Sequence, residues 1–367
     1  MPLDVDRRGI LKQVHHTNSL CVDTQRTGSE AIASRSPSMH QRRDVGCSME
    51  KRRLGNTSLE VPTIMLGGNV FGWTVTDSDS FRLLDHALDA GLDFIDTADV
   101  YSRWVPGNSG GESETILGKW MAQNGKRDKV ILATKVGMDM GDGKQGLAPG
   151  YIKQAVEASL RRLQTDRIDL YQSHKDDENT PLEETLGAYD DLIHEGKVRF
   201  IGASNYSGAR LRQALELSHQ VDLPSYQTLQ PNYSLVERDT YESELLPVVE
   251  RYDLAVIPYF SLAGGFLTGK YRKQSDLEGR ARAGIAGKYL NERGLSVLEA
   301  LDAVAGDFKA TPSQVALAWL MRQPGVAAPI ASATSEKQLD ELVKAAELNL
   351  DESALQRLTE ASNPVAA

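Results

Sequence analysis

Residues 94–101 read Phe-Ile-Asp-Thr-Ala-Asp-Val-Tyr, an apolar strand-like run that passes directly into reactive side chains. The same pattern recurs along the chain at residues 130–135, 168–174 and 200–205. Amphipathic helix patterns lie between these runs. In a chain that alternates strands and helices the strands run parallel, so their C-terminal ends meet at one face. We therefore expect side chains that are distant in sequence to share one pocket at that face.

The alternation continues through eight strand–helix units, which predicts a closed (β/α)8 barrel, or TIM barrel, of the α/β class. A hairpin of residues 51–54 and 59–61 is predicted before the barrel. Extra helices are expected before the eighth strand and at the end of the chain, with a long loop at 264–293. The predicted barrel strands are residues 63–68, 93–97, 130–136, 168–173, 198–203, 225–229, 255–260 and 326–331.

The composition excludes several classes of function. The chain has 367 residues, of which 25% are charged, and its net charge is −10. No dense Lys/Arg stretch interrupts the barrel region, so we expect no nucleic-acid partner. No apolar run reaches the roughly 18 residues that span a membrane, so we expect a cytoplasmic protein with no membrane partner. The only cysteines, Cys21 and Cys47, leave the rest of the chain without a disulfide, a thiol nucleophile or a thiolate metal site.

Residues 1–48 differ from the rest of the chain. They mix Arg, Ser, His and Gln with few large apolar residues, and they lack the continuous apolar core of a secretory signal. We expect a disordered extension here and one barrel domain over residues 49–367. Two alternatives stay open, a targeting peptide and an over-long reading frame whose true start is Met49.

Four polar residues at the predicted strand ends have a common chemistry: Asp96, Tyr101, Lys135 and His174. A phenol is protonated near neutral pH, and a neighbouring ammonium lowers its pKa, which makes it a usable general acid for a developing alkoxide. Asp96 would pair with Lys135 and keep it charged, while His174 could orient a substrate carbonyl. None of these groups is a source of electrons, so a reductant must be bound.

Two other interpretations of the polar residues at the strand ends are less favoured by the sequence. Lys135 alone would also suit an aldolase or isomerase that forms a Schiff base, but the nearby Tyr and Asp pattern argues against it. The acidic run at residues 175–178 contains potential metal ligands. We interpret it as a solvated loop, and we expect no metal site.

Several longer motifs surround these residues, at 91–101, 133–135, 169–174, 196–205 and 259–271. Together they make residues 51–362 resemble the aldo-keto reductase superfamily. The resemblance implies a (β/α)8 barrel and hydride transfer from NADPH to an aldehyde or ketone. It also implies a role for each catalytic candidate: Tyr101 as proton donor, Lys135 as the residue that lowers its pKa, Asp96 as the partner of Lys135, and His174 as the residue that orients the carbonyl.

The same resemblance implies the contacts of the nicotinamide half of the cofactor. Ser204, Asn205 and Gln227 would hold the carboxamide, and Tyr259 would stack on the ring. Residues 260–265 match the family's pyrophosphate-covering loop, although Phe260 and Ser261 replace the usual Ser-Pro pair. The further contacts in this half would be Gly68, Asn69, Phe260, Ser261, Leu262 and Gly265.

At the adenine end, the resemblance implies contacts from Ser332, Thr334, Lys337 and Gln338. Ala331 occupies a position where many members carry a lysine, and Glu341 one where many carry an asparagine. Fewer positive charges select less strongly for a 2′-phosphate. We therefore expect NADPH, with NADH as an open alternative.

The substrate contacts are predicted from loop positions. Trp73, Arg103 and Trp104 follow the first two strands and would lie at the pocket mouth, where apolar rings suit a medium-sized or aromatic carbonyl. A regulatory NADPH-binding subunit is the alternative function, because potassium-channel β subunits resemble this family and also place an extension before the barrel. The oligomeric state is left open.

Overall fold

The computed structural model describes residues 49–123 and 125–363, so the expectations for residues 1–48, including disorder, lie outside the described residues. The described chain begins with the predicted hairpin. Strand β1 (Lys51–Arg53) pairs antiparallel with β2 (Glu60–Pro62). The hairpin is tied to the barrel by Arg52, whose Nη1 donates to Met321 O at 2.9 Å and to Val326 O at 3.2 Å.

Eight parallel strands form the barrel wall, which confirms the predicted (β/α)8 fold. They are hydrogen-bonded to their neighbours in chain order, with the last strand beside the first. The sheet closes where Ala327 N donates to Val256 O and Ile330 N donates to Pro258 O, both at 2.9 Å. The strands are β3 (Met65–Gly67), β4 (Phe94–Asp96), β5 (Ile131–Val136), β6 (Ile168–Ser173), β7 (Val198–Ser204), β8 (Thr228–Gln230), β9 (Ala255–Val256) and β10 (Ile330–Ala331).

Helices surround the wall, and local sequence signals begin several of them. The Thr76 hydroxyl caps the first helix by accepting from Asp79 N, Pro149 occupies the first turn of the third, and Thr311 forms a capping box with Gln314. The helices are α1 (Asp77–Asp89), α2 (Glu112–Met121), α3 (Pro149–Leu163), α4 (Leu182–His194), α5 (Gly208–Val221), α6 (Leu246–Tyr252), α7 (Ala283–Ala286), α8 (Glu292–Phe308), α9 (Pro312–Met321), α10 (Glu336–Glu347) and α11 (Glu352–Ala361).

Several local features differ from the prediction, and the strands predicted at 255–260 and 326–331 are reduced to Ala255–Val256 and Ile330–Ala331. The sixth barrel strand was predicted at 225–229, but β8 begins only at Thr228. A π-helical segment at Tyr241–Leu245 precedes α6, because Pro247 has no N–H to continue the i to i−4 ladder. The predicted loop at 264–293 contains short helical turns in addition to α7, at Ala263–Thr268, Gln274–Leu277 and Gly287–Tyr289.

The core has two parts. The larger cluster fills the space between the outer face of the wall and the helices. The smaller cluster lies inside the barrel and includes Leu54, Leu59 and Val61 of the hairpin together with Phe94 and Leu170 of the wall. The hairpin therefore covers one end of the barrel with apolar side chains, and the other end is left for polar residues.

Within residues 49–123 and 125–363, none of the helices combines the length and the apolar character that crossing a membrane would require.

Candidate active site

The site begins with the alternation of side chains along the barrel strands. Successive residues of a strand point to opposite faces, so the residue two positions after an interior apolar side chain also points inward. Phe94 is followed in this way by Asp96, and Leu170 by Gln172. Gln230 Nε2 donates to Asp96 Oδ1 at 3.1 Å and to Gln172 Oε1 at 3.3 Å. A layer of polar side chains therefore crosses the barrel above its apolar interior.

Lys135 connects this layer to the pocket. Its side chain is completely buried, and its Nζ donates to Asp96 Oδ2 at 2.7 Å, to Thr97 O at 2.8 Å and to Tyr101 Oη at 2.8 Å. These contacts use all three ammonium N–H groups. Tyr101 Oη in turn donates to Asp96 Oδ2 at 2.9 Å. Tyr101, Lys135 and Asp96 are therefore in mutual contact.

Burial shifts the pKa values of Lys135 and Tyr101 in this triangle. Burial lowers the pKa of Lys135, while the Asp96 carboxylate acts in the opposite direction. Burial and the same carboxylate raise the pKa of the Tyr101 phenol well above its ordinary value. The sequence predicted a lowered Tyr101 pKa, but burial and Asp96 raise this pKa, and Arg282 opposes them only in part. Tyr101 is fully protonated near neutral pH.

His174 lies beside the triangle. Its ring centroid is 6.0 Å from that of Tyr101, and its Nδ1 is buried with no hydrogen-bond partner among the described residues. Burial lowers the pKa of His174 well below its usual value, and the charges of Lys135 and Lys175 add to the effect. The imidazole is therefore neutral near pH 7 and keeps one N–H donor for a ligand.

A cavity of about 950 Å³ opens above these groups. Its size and mixed polarity suit a ligand larger than a simple carbonyl compound. Of the catalytic candidates, Asp96, Tyr101 and His174 line it, while Lys135 lies behind them. The predicted cofactor residues that line it are Asn69, Ser204, Asn205, Tyr259, Phe260, Ser261, Leu262, Gly265, Ser332, Thr334 and Gln338.

Three predicted nicotinamide contacts form one hydrogen-bonded chain. Tyr259 Oη donates to Asn205 Oδ1 at 2.8 Å, and Asn205 Nδ2 donates to Ser204 Oγ at 3.1 Å and to His174 O at 2.8 Å. Asn205 has a φ of 55°, a left-handed conformation that asparagine tolerates. The turn after β7 thus directs amide and hydroxyl groups into the cavity beside His174.

The position of Gln227 corrects one prediction. Gln227 precedes β8, its side chain donates to Ser225 O at 3.0 Å, and it does not line the cavity. Its carbonyl lies instead near Gly55 of the hairpin that covers the opposite end of the barrel. Because a strand rises about 3.3 Å per residue, Gln230 lies about 10 Å further along and reaches the cavity. Gln230 is therefore the glutamine in position to contact a ligand.

Two smaller corrections concern the first strand and α10. Gly67 lines the cavity, whereas Gly68 bonds Asp96 O through its N–H and accepts from Ser113 Oγ. A Cβ at Gly68 would lie 2.8 Å from Asp96 O, so Gly68 serves close packing between strands. Lys337 is exposed on α10 and does not line the cavity, because the neighbouring face of the helix carries Gln338.

The loop after β9 has the backbone geometry of a cradle. Left-handed φ values occur at Phe260, Ala263, Gly264 and Gly265, with 53°, 49°, 66° and 94°. Successive N–H groups in such conformations can surround an anion. A Cβ at Gly264 would lie 2.6 Å from Ile285 Cγ2, so glycine is required there. The loop therefore fits the pyrophosphate-covering segment expected from the sequence.

The sequence-based reasoning missed the cations of the following segment. Lys270, Arg280 and Arg282 all line the cavity. A signal for them was available, because the segment has a Gly-Lys-Tyr motif and two arginines close to glycines, directly after a predicted strand. Glu341 also lines the cavity, and its Oε2 accepts from Thr311 Oγ1 at 2.8 Å and from Gln314 Nε2 at 2.9 Å.

The three predicted substrate residues lie near the mouth to different degrees. Trp104 lines the cavity and is 48% exposed, and its ring is 6.1 Å from that of Tyr101. Trp73 packs edge-on against Trp104 at 5.5 Å without lining the cavity itself. Arg103 points toward Gly141 and does not line the cavity. In the part of the chain that the structure describes, no cluster of three potential metal ligands occurs.

The fold and this site define a (β/α)8 protein with a Tyr–Lys–Asp–His constellation at the base of a large cavity. The sequence model of the "Aldo/keto reductase family" matches residues 63–363, and the chain therefore belongs to that family. This agrees with the resemblance found in the sequence motifs.

Known relatives agree with the family assignment. The chain is 39% identical over 320 residues to "Uncharacterized oxidoreductase YrpG" of Bacillus subtilis, covering 85% of this chain and 95% of that protein. It is 32% identical over 333 residues to "Protein tas" of Escherichia coli K12, with coverages of 84% and 96%. It is 31% identical over 306 residues to "Probable voltage-gated potassium channel subunit beta" of Oryza sativa, with coverages of 81% and 91%.

Proposed function

We propose that this chain reduces an aldehyde or ketone with NADPH, and that Tyr101 is the proton donor. The observation that carries the proposal is the contact of the Lys135 ammonium with both the Tyr101 hydroxyl and the Asp96 carboxylate beneath the cavity. Membership of the aldo/keto reductase family and the oxidoreductase relative support the same reaction class. When bound, the reduced nicotinamide supplies the hydride, and the protein supplies position and a proton.

Tyr101 is suited to act as the acid because it is protonated near neutral pH. As the carbonyl oxygen gains negative charge, it becomes a better acceptor of the Tyr101 proton than the ground-state carbonyl. The phenolate that remains is in contact with the buried Lys135 ammonium at 2.8 Å, and this positive charge stabilises it. Asp96 and Thr97 O fix Lys135 in that position.

His174 is suited to orient the carbonyl. Its imidazole is neutral, so it presents an N–H without adding a positive charge next to Lys135. Asn205 bonds His174 through the backbone carbonyl and leaves the ring available to a ligand. One lone pair of the substrate carbonyl oxygen would then accept from His174, while the other lone pair faces Tyr101.

The cavity residues fit a nicotinamide dinucleotide, which is the basis for proposing NADPH. Ser204, Asn205 and Gln230 would bind the carboxamide, Tyr259 would pack on the ring, and residues 260–265 would surround the pyrophosphate. Lys270 and Arg280 add positive charge to the lining, which attracts an anionic dinucleotide, and NADPH stays the proposed cofactor although Lys337 lies outside the lining. The expectations of a cytoplasmic location and of no nucleic-acid or membrane partner stay predictions.

The test is NADPH consumption by the full chain against a panel of aliphatic and aromatic aldehydes and ketones. Tyr101→Phe is expected to lower kcat/KM by about a hundredfold or more, because general acid catalysis contributes that much. The affinity for NADPH, measured by fluorescence titration, is expected to stay unchanged. Tyr151→Phe, on α3 outside the cavity lining, is the matched control and is expected to keep full activity.

A regulatory subunit is the alternative, favoured by the relative named as a potassium channel β subunit. Under that alternative, NADPH would bind with no turnover of any carbonyl on the panel, and Tyr101→Phe would change nothing measurable. Full activity of Tyr101→Phe would refute the proton-donor role even if reduction occurs.

A further inference from the structure

The lining of the cavity carries an excess of positive charge, although the whole chain has a net charge of −10. The lining contains two carboxylates, Asp96 and Glu341. Asp96 is paired with Lys135, and Glu341 accepts two hydrogen bonds at the far end of the cavity. The cations of the lining are Lys175, Lys270, Arg280 and Arg282. A cavity with such a balance attracts anions.

Arg282 is a half-buried arginine of the lining, whereas Lys270 and Arg280 are exposed. Its guanidinium is half-buried and makes one side-chain hydrogen bond within residues 49–123 and 125–363, from Nη2 to Asn69 Oδ1 at 3.4 Å. Asn69 Oδ1 also accepts from Ser332 Oγ at 2.8 Å, so it is shared. No carboxylate of the described chain forms an ion pair with Arg282 within 4.0 Å. A partly desolvated guanidinium with unused N–H donors can bind an anion by donating hydrogen bonds to it.

Arg282 lies between Asn69, a predicted cofactor contact, and the aromatic rings that lead to Tyr101. Its guanidinium carbon lies 5.5 Å from the centroid of the Trp73 ring, so the indole supports one face of the guanidinium. Trp73 packs on Trp104, and Trp104 packs on Tyr101. A continuous set of rings therefore joins Arg282 to the proton donor. Lys175, directly after His174, adds a second cation at this end.

We propose that the carbonyl substrate of this chain carries an anionic group, a carboxylate or a phosphate, and that Arg282 binds it. This inference rests on the proposed carbonyl reduction and names its substrate class. The Trp104 ring contacts the body of the substrate, Tyr101 and His174 hold its carbonyl, and Arg282 holds its charged end. Bidentate contact with two anion oxygens is open to Arg282 because its N–H groups form a planar fork.

An anion at Arg282 could come from the substrate or from the phosphates of the dinucleotide. We assign it to the substrate because the Trp73 ring and its neighbours place Arg282 toward Tyr101. Lys270, by contrast, lies beside Gly265 of the cradle loop. The experiments therefore measure binding of the dinucleotide and of the substrate separately.

The first experiment measures binding without turnover. The full chain saturated with NADPH is titrated with 4-(hydroxymethyl)benzoate and with its neutral methyl ester, and tryptophan fluorescence reports binding. We expect the carboxylate to bind about tenfold or more tightly than the ester, because hydrogen bonds to charged groups contribute that much. Arg282→Gln should abolish the preference, Arg282→Lys should keep part of it, and Arg272→Gln, on a surface arginine paired with Asp302, should leave it unchanged.

The second experiment compares reduction of 4-carboxybenzaldehyde with that of methyl 4-formylbenzoate. In Arg282→Gln, kcat/KM for the carboxylate should fall about tenfold or more, mostly through KM, with less than about a twofold change for the ester. Equal binding of the two alcohols by the unmodified chain would overturn the proposal. Weaker NADPH binding with equal losses for both aldehydes would assign Arg282 to the dinucleotide and also overturn it. A retained anion preference without any reduction would instead contradict the proposed function.

Discussion

At the scale of single residues, the site shows how burial and charge oppose one another. Lys135 is completely buried, which is tolerated because all three of its N–H groups have acceptors and one acceptor is the Asp96 carboxylate. The residue types and their order predicted this grouping. The raised pKa of Tyr101 was not predictable from them, because it depends on how many atoms exclude water from the phenol.

Asp99 is a second buried carboxyl group, but unlike Asp96 it has no ion-pair partner among the described residues. It is 2% exposed, and neither carboxyl oxygen has a hydrogen-bond partner among the described residues. Burial raises the pKa of Asp99 to about 8, and nearby Glu114 adds to the effect, while Arg162 and Lys135 oppose it. The carboxyl group is therefore largely protonated in the folded protein near neutral pH.

This pKa predicts how stability changes with pH. In the unfolded chain Asp99 loses its proton near pH 4, whereas the folded chain keeps it up to about pH 8. Stability therefore falls as pH rises through this window, at a cost of about 1.4 kcal/mol per unit of pKa difference, and levels off above it. Asp99→Asn removes this loss, so its advantage in Tm over the unmodified chain should grow between about pH 5 and about pH 9.

Thermal unfolding followed by circular dichroism at several pH values checks this expectation. Asp222→Asn, at an exposed helix end, controls for the general effect of removing one negative charge. A constant difference between Asp99→Asn and the unmodified chain across the pH range would mean that Asp99 is already charged in the folded protein.

At the scale of elements, the period of two along each strand decides which side chains share the barrel interior. The sequence placed most polar strand ends correctly because the apolar runs before them are long, as in residues 130–136. The sixth strand has only three residues, Thr228–Gln230, and its polar sequence gives no clear boundary. That uncertainty displaced the predicted contact from Gln230 to Gln227, which lies three residues, or about 10 Å, nearer the opposite end of the barrel.

Helix packing gives a prediction at the same scale. Gly118 of α2 lies against the end of α3, where an added Cβ would be 2.1 Å from Arg162 O. Gly118→Ala is therefore expected to lower the free energy of unfolding by about 1–3 kcal/mol through overpacking. Gly187 of α4 has no atom within 4 Å of such a Cβ, so Gly187→Ala is expected to raise it by up to about 1 kcal/mol.

Urea denaturation of the two variants beside the unmodified chain measures both changes. Because the two substitutions are chemically identical and both are in helices, helix propensity cancels between them. If both variants raised the free energy of unfolding, α2 and α3 would be able to move apart and accommodate the added methyl group without loss of stability.

At the scale of the whole molecule, the hairpin and the barrel form one structure. Leu54, Leu59 and Val61 are part of the apolar cluster inside the barrel, and Arg52 bonds two carbonyls near its last strand. We propose that the barrel domain begins at residue 49, as the sequence suggested. The described residues from 49 onward contain the complete wall and the cavity.

Truncation tests this domain boundary. A chain that starts at Met49 should fold with an unchanged Tm and should keep the carbonyl reduction proposed above. A chain that starts at Thr63 should lose several kcal/mol of stability, because three buried side chains of about 1.5–3 kcal/mol each leave the barrel interior. Calorimetry and NADPH consumption provide the two readouts. A large loss of stability on removal of residues 1–48 would place the boundary earlier in the chain.

The sequence alone determined the barrel, the family resemblance and the four residue types of the proposed catalytic constellation, because alternation and apolar periodicity are local properties of the chain. The tertiary structure decided that Gln230 rather than Gln227 faces the cavity, that Tyr101 is held protonated, and that Arg282 lines the cavity while packing on Trp73. Each of these depends on contacts between segments far apart in sequence. Exclusion of water and the direction of a side chain arise only when those segments come together.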